Sequence, residues 1–458
     1  MCGIASYTEY LTSESPEHHW RVLSFDLDKY PAPFIRDRNP RENAWYGIPG
    51  RKDFSADNLN TGLHQVGDLP EDTVIWFQHE TAIWADPDRF VDMIQNLDLP
   101  KIITFHTLHF QSDETSTGLR QCQYALLKSI LPCVDAITVF SYGVYWAVIA
   151  AFPQHCSKVH VINHGIHRYP NISRLSRLRA KEAFNDYLLN QSDLDPSTRK
   201  ILSQQKIFTN PDTAILGQTG FLCPSKQSES LYVIREKLQY LLPNKRIIAV
   251  RIGQARESGQ EVYAQWLQDR WQDGGTLLLN TWLPEHMLPL AQRAFDINFY
   301  WPCECTQSGI LAHALGSGAI VAGRQMEGVG EMLSNAGELV DSELDSLVYK
   351  IKEILTYPEL AESIEKTALS YANRFSWKNQ ARRHYELANR VLCELSFNTG
   401  RKSPLEKDIL FALLTGNPNI DLSAHTDALR TCLTAGQSLK CSEKQEYDLS
   451  LNTNMNKK

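Results

Sequence analysis

Apolar and polar positions along this chain fall into two alternating patterns. Short β-branched and aromatic runs are followed by stretches whose apolar residues recur every three to four positions, the spacings of buried strands and amphipathic helices. VIWFQ at 74–78 precedes helical spacing near 86–97, and KIITF at 101–105 leads through a polar loop to a helix near 117–131. AITVF at 136–140 precedes a buried helix at 142–152, and KVHVI at 158–162 ends in the loop NHGIH at 163–167. Residues 171–210 are polar and helix-prone and read as a connector. The alternation then restarts. Strands are predicted at 213–218, 246–251, 276–280 and 296–301, with helices at 228–241, near 260–271 and from about Pro284. Ser308-Gly309 opens another helix, a strand is predicted at 319–322, and a helix begins near Glu327. Residues 343–397 are helical. The polar tail after them holds one plausible short helix, 405–414, and otherwise reads as an appendage or disordered.

Strand–helix alternation argues for parallel, doubly wound α/β sheets, and its restart argues for two such domains facing each other across a cleft. The boundaries read as 1–205, 206–375, a helix at 376–397 crossing back to the first domain, and a tail at 398–458. In open parallel sheets ligands bind beyond the carboxyl ends of the strands, so the loops that follow strands are where chemistry is expected. The uncharged run 136–156 is long enough to suggest a membrane span, but Ser141 as a helix N-cap and Pro153 divide it into a strand and a buried helix.

Composition narrows the picture little further. A chain of 458 residues with 43% hydrophobic and 22% charged residues fits a folded protein of more than one domain. A net charge of −7 with no long basic run disfavours nucleic acid as a partner. The ten cysteines include no C-x-x-C, and Cys303 and Cys305 form a lone C-x-C, so a metal is not expected and reduced thiols in a cytoplasmic protein are the simpler reading. Slightly basic helices allow at most peripheral contact with the inner face of a membrane.

Two loops carry candidate chemistry. Ser308-Gly309 begins a helix with little side-chain bulk in front, and free N–H groups at a helix start make an anion site. Alternatively, these small residues serve only close packing. Lys226 lies in a loop between a strand and a helix, where an ammonium group meets phosphate as a mobile point charge; most lysines are simply solvated. His79, Glu80, His106, His109 and His164 all follow strands. His79, Glu80 and His164 are placed for acceptor contacts, although each histidine could equally be structural. Asp113, Glu114 and Asp135 are acids without a distinguishing pattern, and His106 and His109 form an H-x-x-H with no further metal ligands.

CGIASYTEY at the start, FQHE at 77–80, ITFHTLH at 103–109, VINHGI at 161–166, GFLCPSK at 220–226, TQSGILAHALGSGAIVAG at 306–323 and FSW at 375–377 occur in an order and spacing that resemble a known family. It is the retaining, nucleotide-sugar-dependent glycosyltransferases of the GT-B fold (glycosyltransferase family four, group 1), in a branch with TQSG. The resemblance covers residues 1 to about 395. It implies two Rossmann-like domains, acceptor bound by the first and nucleoside-diphosphate sugar by the second, retained anomeric configuration, and neither cofactor nor metal. It places Gly3 in an N-terminal glycine loop facing the donor diphosphate, His106 near the transferred sugar, and Lys226 on the diphosphate. Thr306, Gln307, Ser308 and Gly309 lie beneath sugar and phosphates, and Glu331 near the nucleoside. The acceptor would be a glycan, a lipid-linked sugar or a small molecule.

The chain departs from the family in three ways. Phe221 stands where an arginine usually precedes the lysine by five residues. Cys305 and His313 replace a pair of glutamates eight apart, with Glu304 one residue out of register. The family's strand before the glycine loop is missing from this chain, through either a misassigned start or loss of the strand. These departures keep open a protein of the same shape that binds sugar nucleotide or glycan without turnover and, more weakly, a sugar-nucleotide epimerase.

Overall fold

The computed structural model describes residues 3–15, 20–26, 28, 44–67, 72–255, 258–270 and 274–399. The short helix expected at 405–414 lies outside them. Strands β1 (Val22–Phe25) and β2 (Ala44–Ile48) form a small parallel pair that the apolar pattern does not announce, each being at most half-buried along most of its length. β3 (Ile75–His79), β4 (Lys101–Phe105), β5 (Ala136–Val139) and β6 (Val159–Val161) form a parallel sheet in that order. β7 (Thr213–Thr219), β8 (Arg246–Ile252), β9 (Thr276–Leu279), β10 (Ile297–Tyr300), β11 (Val321–Arg324) and β12 (Val340–Asp341) form a second, ordered β12-β11-β10-β7-β8-β9. Every residue of β5 and β7 is buried, as expected where helices cover both faces of a parallel sheet.

The second sheet's strand order positions the site. From β7 the chain winds to one side through β8 and β9, then returns to the other side through β10, β11 and β12. The reversal falls between β7 and β10, and the loops leaving these two neighbours border the place where open parallel sheets bind ligands. They are residues 220–226 and 301–308, the two segments singled out above.

Three expectations need correction. Gly3 is not in a loop; it opens the helix Gly3–Ser13, whose Tyr7 and Leu11 are buried against Phe140, Trp377 and Ala381. Ile4, Tyr7 and Leu11 carry the helical period that reveals this helix in the sequence. The strand expected at 319–322 lies two residues later. Gly318, at φ +72°, and the bond from Ala319 N to Ala314 O still belong to the turn, and pairing with β10 begins at Val321. The helix expected from 117 starts at Gln121, after the N-cap Arg120.

Two connectors join the lobes side by side. Ile166 N donates to Phe375 O at 2.8 Å, and Trp377 N to Ile166 O at 3.3 Å. Gly165 has to be glycine because a Cβ there would stand 2.2 Å from the Trp377 ring. The helix Trp377–Thr399 then lays Leu387 and Val391 against Ile102 and Ala136 of the first sheet and Ile162 just past β6. Among the described residues no helix is long and apolar enough to cross a membrane.

Candidate active site

The loop after β7 is shaped by two glycines and one arginine. Gly220 adopts φ +116°, and Gly253, just past β8, brings its backbone against the Gly220 carbonyl. Arg251 sits between them, fully buried. Its Nε donates to Ser228 Oγ at 2.8 Å, Nη1 to the carbonyls of Gln218, Gly220 and Ile252 at 3.2, 3.0 and 2.6 Å, and Nη2 to Phe221 O at 2.6 Å. None of these acceptors is a carboxylate. Burial draws the guanidinium pKa down to about 10, leaving it charged at neutral pH. Lys226 follows in the same loop, half-buried, with Gln218 Nε2 donating to its carbonyl at 3.1 Å. Gln227, next to it, holds φ +45°, a conformation β-carbons disfavour and functional loops often retain.

The loop after β10 meets this one through a hydrogen-bonded chain. Lys226 Nζ donates to Tyr300 Oη at 3.1 Å, the Tyr300 hydroxyl to Cys305 Sγ at 3.3 Å, and the Cys305 thiol to Gln307 O at 3.0 Å. Cys303 N also donates to Ser225 O at 3.0 Å. Burial pushes the Tyr300 hydroxyl and the Cys305 thiol upward, so both stay protonated near neutrality. The chain fixes the ammonium beside the start of the helix Gly309–Gly316. Ser308 is the N-cap residue but makes no side-chain cap, and a Cβ on Gly309 would meet nothing within 4 Å. A helix start with no side-chain cap and room in front of Gly309 is a candidate anion site.

His106 and Glu80 lie near the first lobe's strand ends. The half-buried His106 pairs Nε2 with Gln78 Oε1 at 2.8 Å, and its carbonyl accepts from Thr306 Oγ1 at 3.2 Å. Burial, with smaller contributions from neighbouring histidines, holds its pKa down to about 3, so the ring is neutral. Glu80 accepts a hydrogen bond from Thr107 Oγ1 and stays partly exposed. His79 and His164 are not on that surface. His79 is buried between Phe90 and Phe105, with ring centroids 4.8 and 4.9 Å away. His164 is packed among Tyr7, Phe140 and Trp377, with Nδ1 on Gly165 O at 2.8 Å. Burial lowers both to about 4.

Several polar contacts cross between the lobes. Both carboxylate oxygens of Glu327 lie 3.0 Å from His109 Nδ1, and Glu327 N donates to Gln111 Oε1 at 3.2 Å. One turn later Glu331 accepts from Tyr142 N at 2.9 Å and Gly143 N at 3.1 Å, capping the helix Tyr142–Ala151 of the opposite lobe. Glu331 is thus engaged by backbone amides where the resemblance placed it at the nucleoside. Glu304, in the loop after β10, pairs with Arg120 of the first lobe. His313, at a position where the resemblance implies a glutamate, is buried, stacks on His167 at 4.0 Å and pairs with Tyr169 Oη at 2.6 Å. Arg251, Tyr300 and Glu327 escaped the sequence reading. A charged residue inside RIIAVRI was the one available signal, because an unpaired arginine is rarely fully buried.

No protein-family profile matches the chain, and no curated protein sequence does. Solved structures do match, and they show that the chain has the GT-B fold. The UDP-forming α,α-trehalose-phosphate synthase from Burkholderia xenovorans aligns over 73% of this chain and 76% of its own at 14% identity and TM-score 0.52. The corresponding Burkholderia multivorans enzyme covers 75% of each chain at 13% identity and TM-score 0.55. Anabaena HepE, solved in complex with UDP and glucose, aligns over 81% of this chain and 99% of its own at 15% identity and TM-score 0.51.

Proposed function

We propose that the protein is a glycosyltransferase that moves a sugar from a nucleoside-diphosphate donor to an acceptor hydroxyl with retention of configuration. The observation that carries this reading is the meeting, at the reversal point of the second sheet, of the Lys226 ammonium with the uncapped helix start at Ser308 and Gly309. In the reaction the bond from the anomeric carbon to the β-phosphate oxygen breaks, the acceptor oxygen bonds to that carbon, and the acceptor's proton passes to the departing phosphate oxygen. Lys226 and the helix amides offset the charge that grows on the diphosphate, stabilisation directed at the transition state. Thr306 and Gln307 lie below the sugar, and neutral His106 offers a polar contact to it from the first lobe. HepE was solved with UDP and glucose, and a trehalose-6-phosphate synthase with UDP-2-fluoro glucose, so uridine-diphosphate sugars are the first donors to test. The acceptor class remains a glycan, a lipid-linked sugar or a small sugar.

A second reading, binding without turnover, is favoured by one observation: Cys305 and His313, at the positions of the glutamate pair, are both occupied by internal hydrogen bonds. Release of nucleoside diphosphate from a panel of sugar nucleotides separates the two. Turnover predicts release that falls in Lys226→Ala by ten- to a hundredfold or more, the worth of a charge-assisted contact of roughly 1.5–3 kcal/mol. Binding with no release, unchanged by acceptors, would establish the second reading.

A further inference from the structure

We propose that Arg251 is the positioning residue of the diphosphate site, supplying from β8 the second positive charge that Phe221 does not carry. The inference rests on the reading of this crevice as a diphosphate site. A fully buried guanidinium normally has a carboxylate beside it, since removing a cation from water costs several kcal/mol that a counter-charge has to offset. Here all five described hydrogen bonds go instead to one serine hydroxyl and four main-chain carbonyls. The nearby carboxylate of Glu229 is engaged by the Tyr263 hydroxyl, which also accepts from Ser228 N at 2.9 Å.

The partners show what the arginine does. Gln218, Gly220 and Phe221 are the end of β7 and the first residues of the loop, and Ser228 is the first residue of the helix that follows it. Arg251 therefore binds both ends of the segment that carries Lys226. Its Nη2 bond to Phe221 O brings the positive charge to the backbone of the very position where the side chain has none. The guanidinium also engages the dipoles of these carbonyls, which would otherwise be free to oppose an anion. In surroundings of low dielectric the charge is felt across the loop, and a diphosphate would be its missing counter-ion.

The experiment measures binding of UDP, ADP and GDP, each beside its nucleoside, to wild type, Arg251→Lys, Arg251→Gln and Arg251→Met. The proposal expects the nucleoside diphosphate that binds wild type to lose at least tenfold in affinity in Arg251→Gln and Arg251→Met. The parent nucleoside should change less than threefold, a split that general loosening of the fold does not produce. Arg251→Lys, which keeps the charge and loses the fork, should recover at least threefold over Arg251→Gln; this comparison stands even if Arg251→Met fails to fold. Phe221→Arg in the Arg251→Gln background should restore part of the loss. Equal losses for nucleoside and diphosphate, or equal affinities of the Lys and Gln variants, would overturn the proposal and leave the glycosyltransferase reading intact. A wild type that binds none of the three diphosphates would overturn both.

Discussion

Gly253→Ala tests how tightly the loop that carries Lys226 is held. A methyl group at this position would stand 1.8 Å from the Gly220 carbonyl oxygen and 2.9 Å from its carbon. Real β-carbons essentially never approach another atom within 3.0 Å, so the Gly220 backbone has to retreat by roughly 1.2 Å. It has little freedom to do so. Its oxygen accepts from Arg251 Nη1 at 3.0 Å, its N–H donates to Ile252 O at 3.1 Å, and its φ of +116° already lies where only glycine is comfortable. Overpacking of this kind costs about 1–3 kcal/mol of stability. The larger effect falls on function, because the displaced segment carries Lys226. A displacement on the order of 1 Å of a group aligned with the reacting atoms costs on the order of a hundredfold in rate. The assay is release of nucleoside diphosphate from the donor that wild type turns over, with a thermal melt on the same samples. A folded Gly253→Ala protein with wild-type donor affinity and rate would refute the claim that this loop's position sets the chemistry.

Gly309→Asp places a carboxylate at the uncapped helix start, where there is room for it. Thermal stability should hold or rise by up to about 1 kcal/mol through the helix dipole, while diphosphate binding falls at least tenfold; equal binding to both proteins in calorimetry would count against the anion site. Glu331→Ala removes the cap that one lobe provides to a helix of the other, at a cost of about 0.5–2 kcal/mol, which a denaturant melt would detect; no change would mean that water replaces the carboxylate without loss. The buried histidines predict an acid-side loss of stability. His106 is held down to about 3, and His164 and His384 to about 4, mainly by burial. Unfolded, these rings protonate near 6.5. Below that pH the unfolded chain takes up protons that the folded one refuses, so the stability is complete above about pH 6.5 and declines toward pH 4. A denaturation midpoint that stays flat between pH 7 and pH 5 would contradict this.

The sequence by itself determined the α/β pattern and the places where function could sit. Short runs rich in β-branched and aromatic residues mark β3 to β10 almost to the residue. The loops leaving β7 and β10 stand out because glycine, serine and lysine interrupt those runs. Tertiary structure decided which of the marked residues face the crevice, because burial and partnership depend on segments far apart in the chain. His109 finds Glu327 across 218 positions, and Glu331 finds Tyr142 across 189. Nothing near His79 or His164 announces that aromatic rings from other elements enclose them. Arg251 is a charged residue in a mostly apolar strand, and only the folded backbone reveals the four carbonyls that accept from it. Local sequence sets the conformation a segment prefers, whereas desolvation and charge pairing arise from neighbours that only the completed fold assembles.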